Sequence, residues 1–177
     1  MTPAATSAGP VRDVRLRIRG LRIHAQVHGE GEPLLLYSGV WGEVRLWERL
    51  LPHLAGFQTI AFDPPGIGRS QRPAVPLSMW GLAHLGTAVL DEFGIDSAHV
   101  LGVSFGGAVA QQMAFSHSSR VRRLASTVSG SDTAPSVVST RVGTWTGWSA
   151  TARSATSRTR PSRAATGQPG RPTRRAS

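Results

Sequence analysis

The 177-residue chain contains no cysteine and no lysine. Without cysteine there are no disulfides and no thiolate-held metals. No run of about 18 apolar residues occurs, so the sequence offers no membrane-spanning helix. Met1 to Pro10 is small and polar and lacks the apolar stretch of a secretory signal, so a soluble, cytoplasmic protein is expected. The formal net charge of +10 is carried by arginine alone and is unevenly spread. Through Asp132 there are 12 Arg against 10 Asp and Glu, whereas 8 Arg and no acid follow from Thr133 onward. The basic balance therefore belongs to the C-terminal stretch. That stretch also lacks Leu, Ile, Phe, Met and Tyr after Leu124. It cannot bury enough apolar surface to offset its ordering entropy, so 131–177 is expected to be disordered, as is 1–10. The folded part is expected over 11–130.

What is present in that part alternates between strand and helix patterns. Val14, Leu16 and Ile18, then Leu21, Ile23, Ala25 and Val27, read as two strands around Arg19-Gly20. Leu34 to Tyr37 and Phe57 to Phe62 are continuous apolar runs, the pattern of buried central strands. Glu43 to Leu54 has helical spacing in Val44, Trp47, Leu50, Leu51 and Leu54. Leu77 to Phe93 has it in Leu82, Leu85, Val89 and Phe93, with Gly94 as a C-terminal cap. Ala98 to Val103 and Val121 to Val128 read as further strands. Such alternation implies βαβ units, hence an α/β fold with a mostly parallel sheet of about six strands and flanking helices.

The most informative run is Gly102-Val103-Ser104-Phe105-Gly106-Gly107. It follows an apolar strand and opens a helix-like stretch from Ala108 to Phe115. A G-x-S-x-G run in that context is a nucleophile elbow. The glycines permit a turn too tight for side chains, and the serine is held strained with its hydroxyl exposed. The N–H of Phe105, at a helix start, is placed to donate to a developing oxyanion. A dinucleotide loop needs a third glycine where Ser104 stands, so that reading fails.

From Pro33 to Leu124 the chain resembles α/β-hydrolases, and within them intracellular poly(3-hydroxyalkanoate) depolymerases. The resemblance rests on Pro33-Leu34-Leu35-Leu36 with Ser38-Gly39, on Asp63-Pro64-Pro65-Gly66-Ile67-Gly68-Arg69-Ser70, on the elbow running into Ala110-Gln111-Gln112, and on Arg120-Val121-Arg122-Arg123-Leu124. It implies a serine ester hydrolase with Ser104 as nucleophile. The Phe105 and Val40 N–H groups would be the oxyanion donors. The substrate would be a small-molecule or polymeric ester with an apolar acyl part. No cofactor or metal is implied. The side chains of Trp41 and Phe105 either line an acyl pocket or pack in the core. Asp63 to Ser70 reads as a structural turn near the site.

A triad also needs an acid and a histidine, in the order Ser, acid, His. After Ser104 the chain holds only Asp132 and His117. A helix of about 10 residues puts His117 some ~15 Å away, beyond the ~2.6–3.2 Å reach of a general base. His99 starts the strand that ends at the elbow. His24, His28, His53 and His84 precede it without a matching role. The resembling family places both groups on strands after the elbow, where this chain has its Arg/Ser/Thr/Pro mixture. The chain as written is therefore expected to be inactive or very weak, as an incomplete α/β-hydrolase fold. Two readings of the basic stretch follow. Either the reading frame shifts between Asp132 and Trp145, in which case another frame encodes strands, helices, an acid and a late histidine, or the stretch binds nucleic acid or an anionic surface. The first is preferred, so nucleic acid is not the expected partner.

Overall fold

A computed structural model describes residues 10–128 and 136–141. Seven strands form one sheet in the order β1-β2-β4-β3-β5-β6-β7. They are β1 (Arg12–Ile18), β2 (Leu21–His28), β3 (Glu32–Tyr37), β4 (Phe57–Phe62), β5 (Ala98–Val103), β6 (Val121–Val128) and β7 (Ser136–Arg141). The four central strands, β4, β3, β5 and β6, run parallel. The outer pairings, β1 with β2, β2 with β4 and β6 with β7, are antiparallel.

Helices α1 (Met79–Glu92) and α2 (Phe105–Ser116) lie on one face of the sheet. Ser78 caps α1, its side chain accepting from the Gly81 N–H, and Gly94 takes φ +66° just past the helix end. The larger core joins these helices to Leu16, Ile23, Ala25, Leu35, Ile60, Val100 and Leu124. Tyr37 is buried in it beneath Gly86, where a Cβ would collide with the phenol oxygen. Burial raises the Tyr37 pKa well above that of a free phenol.

The opposite face carries a smaller cluster of Leu34, Leu36, Val44, Trp47, Leu51 and Ala61. The helix expected over 43–54 is absent here. Two 3₁₀ turns, Val44–Trp47 and Leu51–His53, take its place. The spacing is apolar as expected, but Pro52 has no N–H to donate to the Glu48 carbonyl and its ring crowds that carbonyl, so an α-helical ladder cannot run through it. Val44, Trp47 and Leu51 still bury their side chains. Further along this face Leu101 and Val103 of β5 are only partly buried.

A second correction concerns the tail. Ser136–Arg141, expected to be disordered, pairs with β6 from Val128↔Ser136 to Arg123↔Arg141. Val137, Val138 and Thr140 are β-branched residues suited to a strand. β6 is therefore an inner strand, and the sheet has one more than expected. The expectations for 1–9, 129–135 and 142–177 fall outside the described residues.

Candidate active site

Ser104 sits between β5 and α2, at the C-terminal edge of the parallel strands. Its φ of 56° and ψ of −123° are a conformation that side chains rarely adopt. Three contacts hold it there. Its N–H donates to the Thr127 carbonyl at 2.7 Å, and its own carbonyl accepts from Gly107 (2.9 Å) and Ala108 (3.3 Å). The flanking glycines are sterically required. A Cβ on Gly102 would strike the backbone of Gly106, and one on Gly106 would strike the carbonyl oxygens of Tyr37 and Ser38. The spacing read in the sequence thus brings β5, α2 and the end of β3 into backbone contact.

The loop after β3 abuts the serine. A Cβ on Gly39 would lie 3.4 Å from Ser104 Cβ. Gly39 to Gly42 is a tight turn closed by the Gly42 N–H on the Gly39 carbonyl at 3.0 Å. Its third position, Trp41, has φ +60°, where a turn of this kind favours glycine. Ser38 Oγ fixes the loop from below, accepting from Trp47 Nε1 at 3.0 Å and lying 3.4 Å from the Glu43 carbonyl oxygen. Among the described residues neither the Val40 N–H nor the Phe105 N–H has a backbone acceptor. The two groups named from the sequence are therefore free donors on segments flanking Ser104. Trp41 and Phe105 are 78% and 38% exposed, so neither packs in the core. With Val40, 60% exposed, they are exposed apolar residues on the two segments that flank Ser104 in sequence and at the Gly39 contact.

Asp63 is the residue whose importance the sequence underrates. It is 1% exposed at the end of β4. One carboxylate oxygen accepts from the Val44 N–H at 2.8 Å. The other accepts from the Arg69 N–H at 2.9 Å and meets His24 Nδ1 at 2.8 Å. Asp63 so ties the loop bearing Val40 to the Asp63–Ser70 turn and to β2. The Asp-Pro-Pro-Gly chemistry signalled a turn, but nothing in local spacing signalled a partner on β2.

No described histidine serves Ser104, whose hydroxyl makes no hydrogen bond among the described residues. His24 is pinned between Asp63 and Asp13, with Nε2 2.7 Å from Asp13 Oδ1. That bond holds the Asp13 carboxyl below its usual pKa, helped by Gln26. His99 pairs with Glu32 at 2.6 Å at the other edge of the sheet and likewise lowers the Glu32 pKa. His84 accepts from Arg19 at 2.5 Å. It packs against Trp80 and His117, with ring centroids 5.3 Å away in each case. His117 lies beyond the 12-residue α2, which puts it about 18 Å from Ser104 along the helix axis. His28 and His53 make no side-chain bond to the site. Asp132 lies outside the described residues. Among those described, no group of three or more potential ligands could hold a metal ion, and no helix is long and apolar enough to cross a membrane.

A parallel four-strand centre, a strained serine between strand and helix, and a glycine loop against it define the α/β hydrolase fold. The chain belongs to that family, whose pattern matches residues 32–167 and so runs past Asp132 into the basic stretch. It is 36% identical over 103 residues to RutD of Azorhizobium caulinodans, assigned as a carbamate hydrolase, covering 58% of this chain and 39% of that protein. It is 38% identical over 109 residues to a poly(3-hydroxyalkanoate) depolymerase of Ectopseudomonas oleovorans, covering 58% of this chain and 38% of that protein. A crystal structure of a hydrolase from Pseudomonas aeruginosa superposes with a TM-score of 0.62 at 27% identity, covering 64% of this chain and 44% of that one. The chain thus spans about two fifths of the length of the curated relatives it matches.

Proposed function

We propose that the chain carries the nucleophile elbow of a serine hydrolase acting on a carboxylic ester, small or polymeric, with an apolar acyl group. Ser104 Oγ is the nucleophile, and the N–H groups of Phe105 and Val40 receive the oxyanion. The exposed side chains of Val40, Trp41 and Phe105 take the acyl chain. The observation that carries this reading is the Ser104 conformation, together with two free backbone donors on the segments beside it. Strain of about 1–3 kcal/mol at one residue persists only where the surroundings impose it, and such strain clusters at active sites. A serine whose hydroxyl has no partner among the described residues, beside backbone donors fixed by the fold, is suited to attack on a carbonyl. The general base and its orienting acid are not among the described residues, so activation of Ser104 is the missing step. The resemblance to a polyhydroxyalkanoate depolymerase favours an oxyester over a carbamate, and these apolar side chains agree with that.

The reading is tested by supplying a base from solution. The full chain is incubated with p-nitrophenyl butyrate in imidazole buffer, and acylation is mapped by peptide mass. A butyryl group on Ser104, absent in Ser104→Ala, supports the proposal. Acylation spread over surface residues, with Ser104 unmodified, refutes it.

A further inference from the structure

The β1–β2 hairpin carries positive charge on one face. Register places Arg15 opposite His24 and Arg17 opposite Arg22. Directly opposed residues of an antiparallel pair share a face. Their neighbours Leu16, Ile18, Ile23 and Ala25 occupy the core face with α1 and α2, so the four basic residues lie on the other. Arg69 reaches them from the turn after β4, its guanidinium 3.5 Å from His24 Nε2 and 3.4 Å from Asp13 Oδ1. Arg15, Arg22, Ile23, His24 and Arg69 line an open cavity of about 280 Å³.

Two carboxylates meet the lining of this cavity, and both are engaged. Asp13 Oδ1 is shared among Arg69, His24 and Gln26, and Asp63 is buried against His24 and the N–H groups of Arg69 and Val44. The guanidinium groups of Arg15 and Arg22 have no acceptor among the described residues. Like charges set directly opposite weaken a strand pair, as Arg17 and Arg22 do here. One wall is rigid, because His24 is 4% exposed and held at both ring nitrogens.

We propose that the cavity binds a small phosphate-bearing anion, clasped by Arg15, Arg22 and Arg69. Guanidinium forks match phosphate oxygens two at a time, and the delocalised cation is cheap to desolvate. A cavity just under the ~300–1,000 Å³ range of small-molecule sites suits a phosphate group with a small substituent. A single nucleic-acid strand favours a groove with aromatic platforms instead, and no Phe, Tyr or Trp lines this one, while the His24 ring is buried and held at both nitrogens. The site shares the Asp63 hub with the loop beside Ser104 but does not depend on Ser104 being a nucleophile.

The test is a titration of the full chain with inorganic phosphate at constant ionic strength. It is followed by NMR at the His24 ring and at the amides of Arg22, His24 and Arg69. Saturable shifts at these residues are expected, weakened roughly tenfold or more in the Arg15→Gln/Arg22→Gln variant, as loss of charge-assisted hydrogen bonds implies. Arg174→Gln/Arg175→Gln should leave them unchanged. The proposal is overturned if chloride reproduces the shifts, if they do not saturate, or if the hairpin variant retains them. It is equally overturned if a short oligonucleotide moves these signals and phosphate does not. Should the hairpin variant fail to fold, the phosphate–chloride comparison on the native chain decides alone.

Discussion

Replacing Ser104 by glycine should stabilise the fold while destroying the proposed nucleophile. Ser104 stands at φ 56°, ψ −123°, and its side chain caps nothing. Such a conformation costs a residue with a Cβ about 1–3 kcal/mol. Glycine escapes that cost but gains freedom in the unfolded chain, which takes back about 0.4–1 kcal/mol. The net expectation is a gain of up to about 2 kcal/mol. Ser104→Ala separates strain from chemistry. It keeps the Cβ and loses only a hydroxyl with no partner among the described residues, so its stability should match the native chain within ~0.5 kcal/mol. The assay is urea unfolding of the three proteins by circular dichroism, compared through midpoints at equal slope. A glycine variant less stable than the alanine variant would refute the claim that the fold stores strain at this position.

Three further outcomes follow from the contacts. Gly106→Ala drives a methyl group into the Tyr37 and Ser38 carbonyls. It should cost about 1–3 kcal/mol or more, seen as a lower urea midpoint, and a neutral result would mean that the elbow is loosely packed. Asp63→Ala leaves the Val44 and Arg69 N–H groups and His24 without their acceptor. Breaking a buried charged hub costs about 3–5 kcal/mol, so the cooperative transition should weaken severely or vanish, and a loss below ~1 kcal/mol would contradict the hub. His117 titrates below the ordinary imidazole value of 6.5 because of burial, then because of His84 and Arg120. Its neutral form is the one the fold favours. Its contribution is therefore full above pH 6.5 and is lost as pH falls through the lowered folded value. His117→Gln should flatten the fall of the urea midpoint below that pH, and an unchanged slope would remove His117 from the account.

The elbow was legible in the sequence because its constraint is local. Two glycines flanking a serine, after an apolar strand, leave few other conformations, and the Cβ clashes at Gly102 and Gly106 give the reason. The β1–β2 hairpin was legible from alternation around Arg19-Gly20, both of which take positive φ. The segment over 43–54 departs from its helical spacing because apolar spacing reports which side chains are buried, not which hydrogen bonds carry the backbone. Val44, Trp47 and Leu51 are buried as a helix face would be, yet the backbone is carried by two 3₁₀ turns, the second of which contains Pro52. β7 is hidden in the sequence because Val137, Val138 and Thr140 form a short β-branched island within a long basic stretch poor in apolar residues. The Asp63–His24 pair spans 39 residues and two strands, and no periodicity connects them.

The central claim is that Ser104 stands in a preformed site and that no base among the described residues reaches it. Hydrolysis of p-nitrophenyl butyrate by the full chain and by Ser104→Ala, in a buffer free of imidazole, tests that claim most directly. Loss of the histidine of a serine triad lowers turnover by roughly a million-fold and makes the serine itself nearly dispensable. The two proteins should therefore show the same rate, far below the ~10 s⁻¹ typical of enzymes. Turnover in the ordinary enzymatic range that disappears in Ser104→Ala would contradict the account, because a base would then be reaching Ser104 from residues not described here.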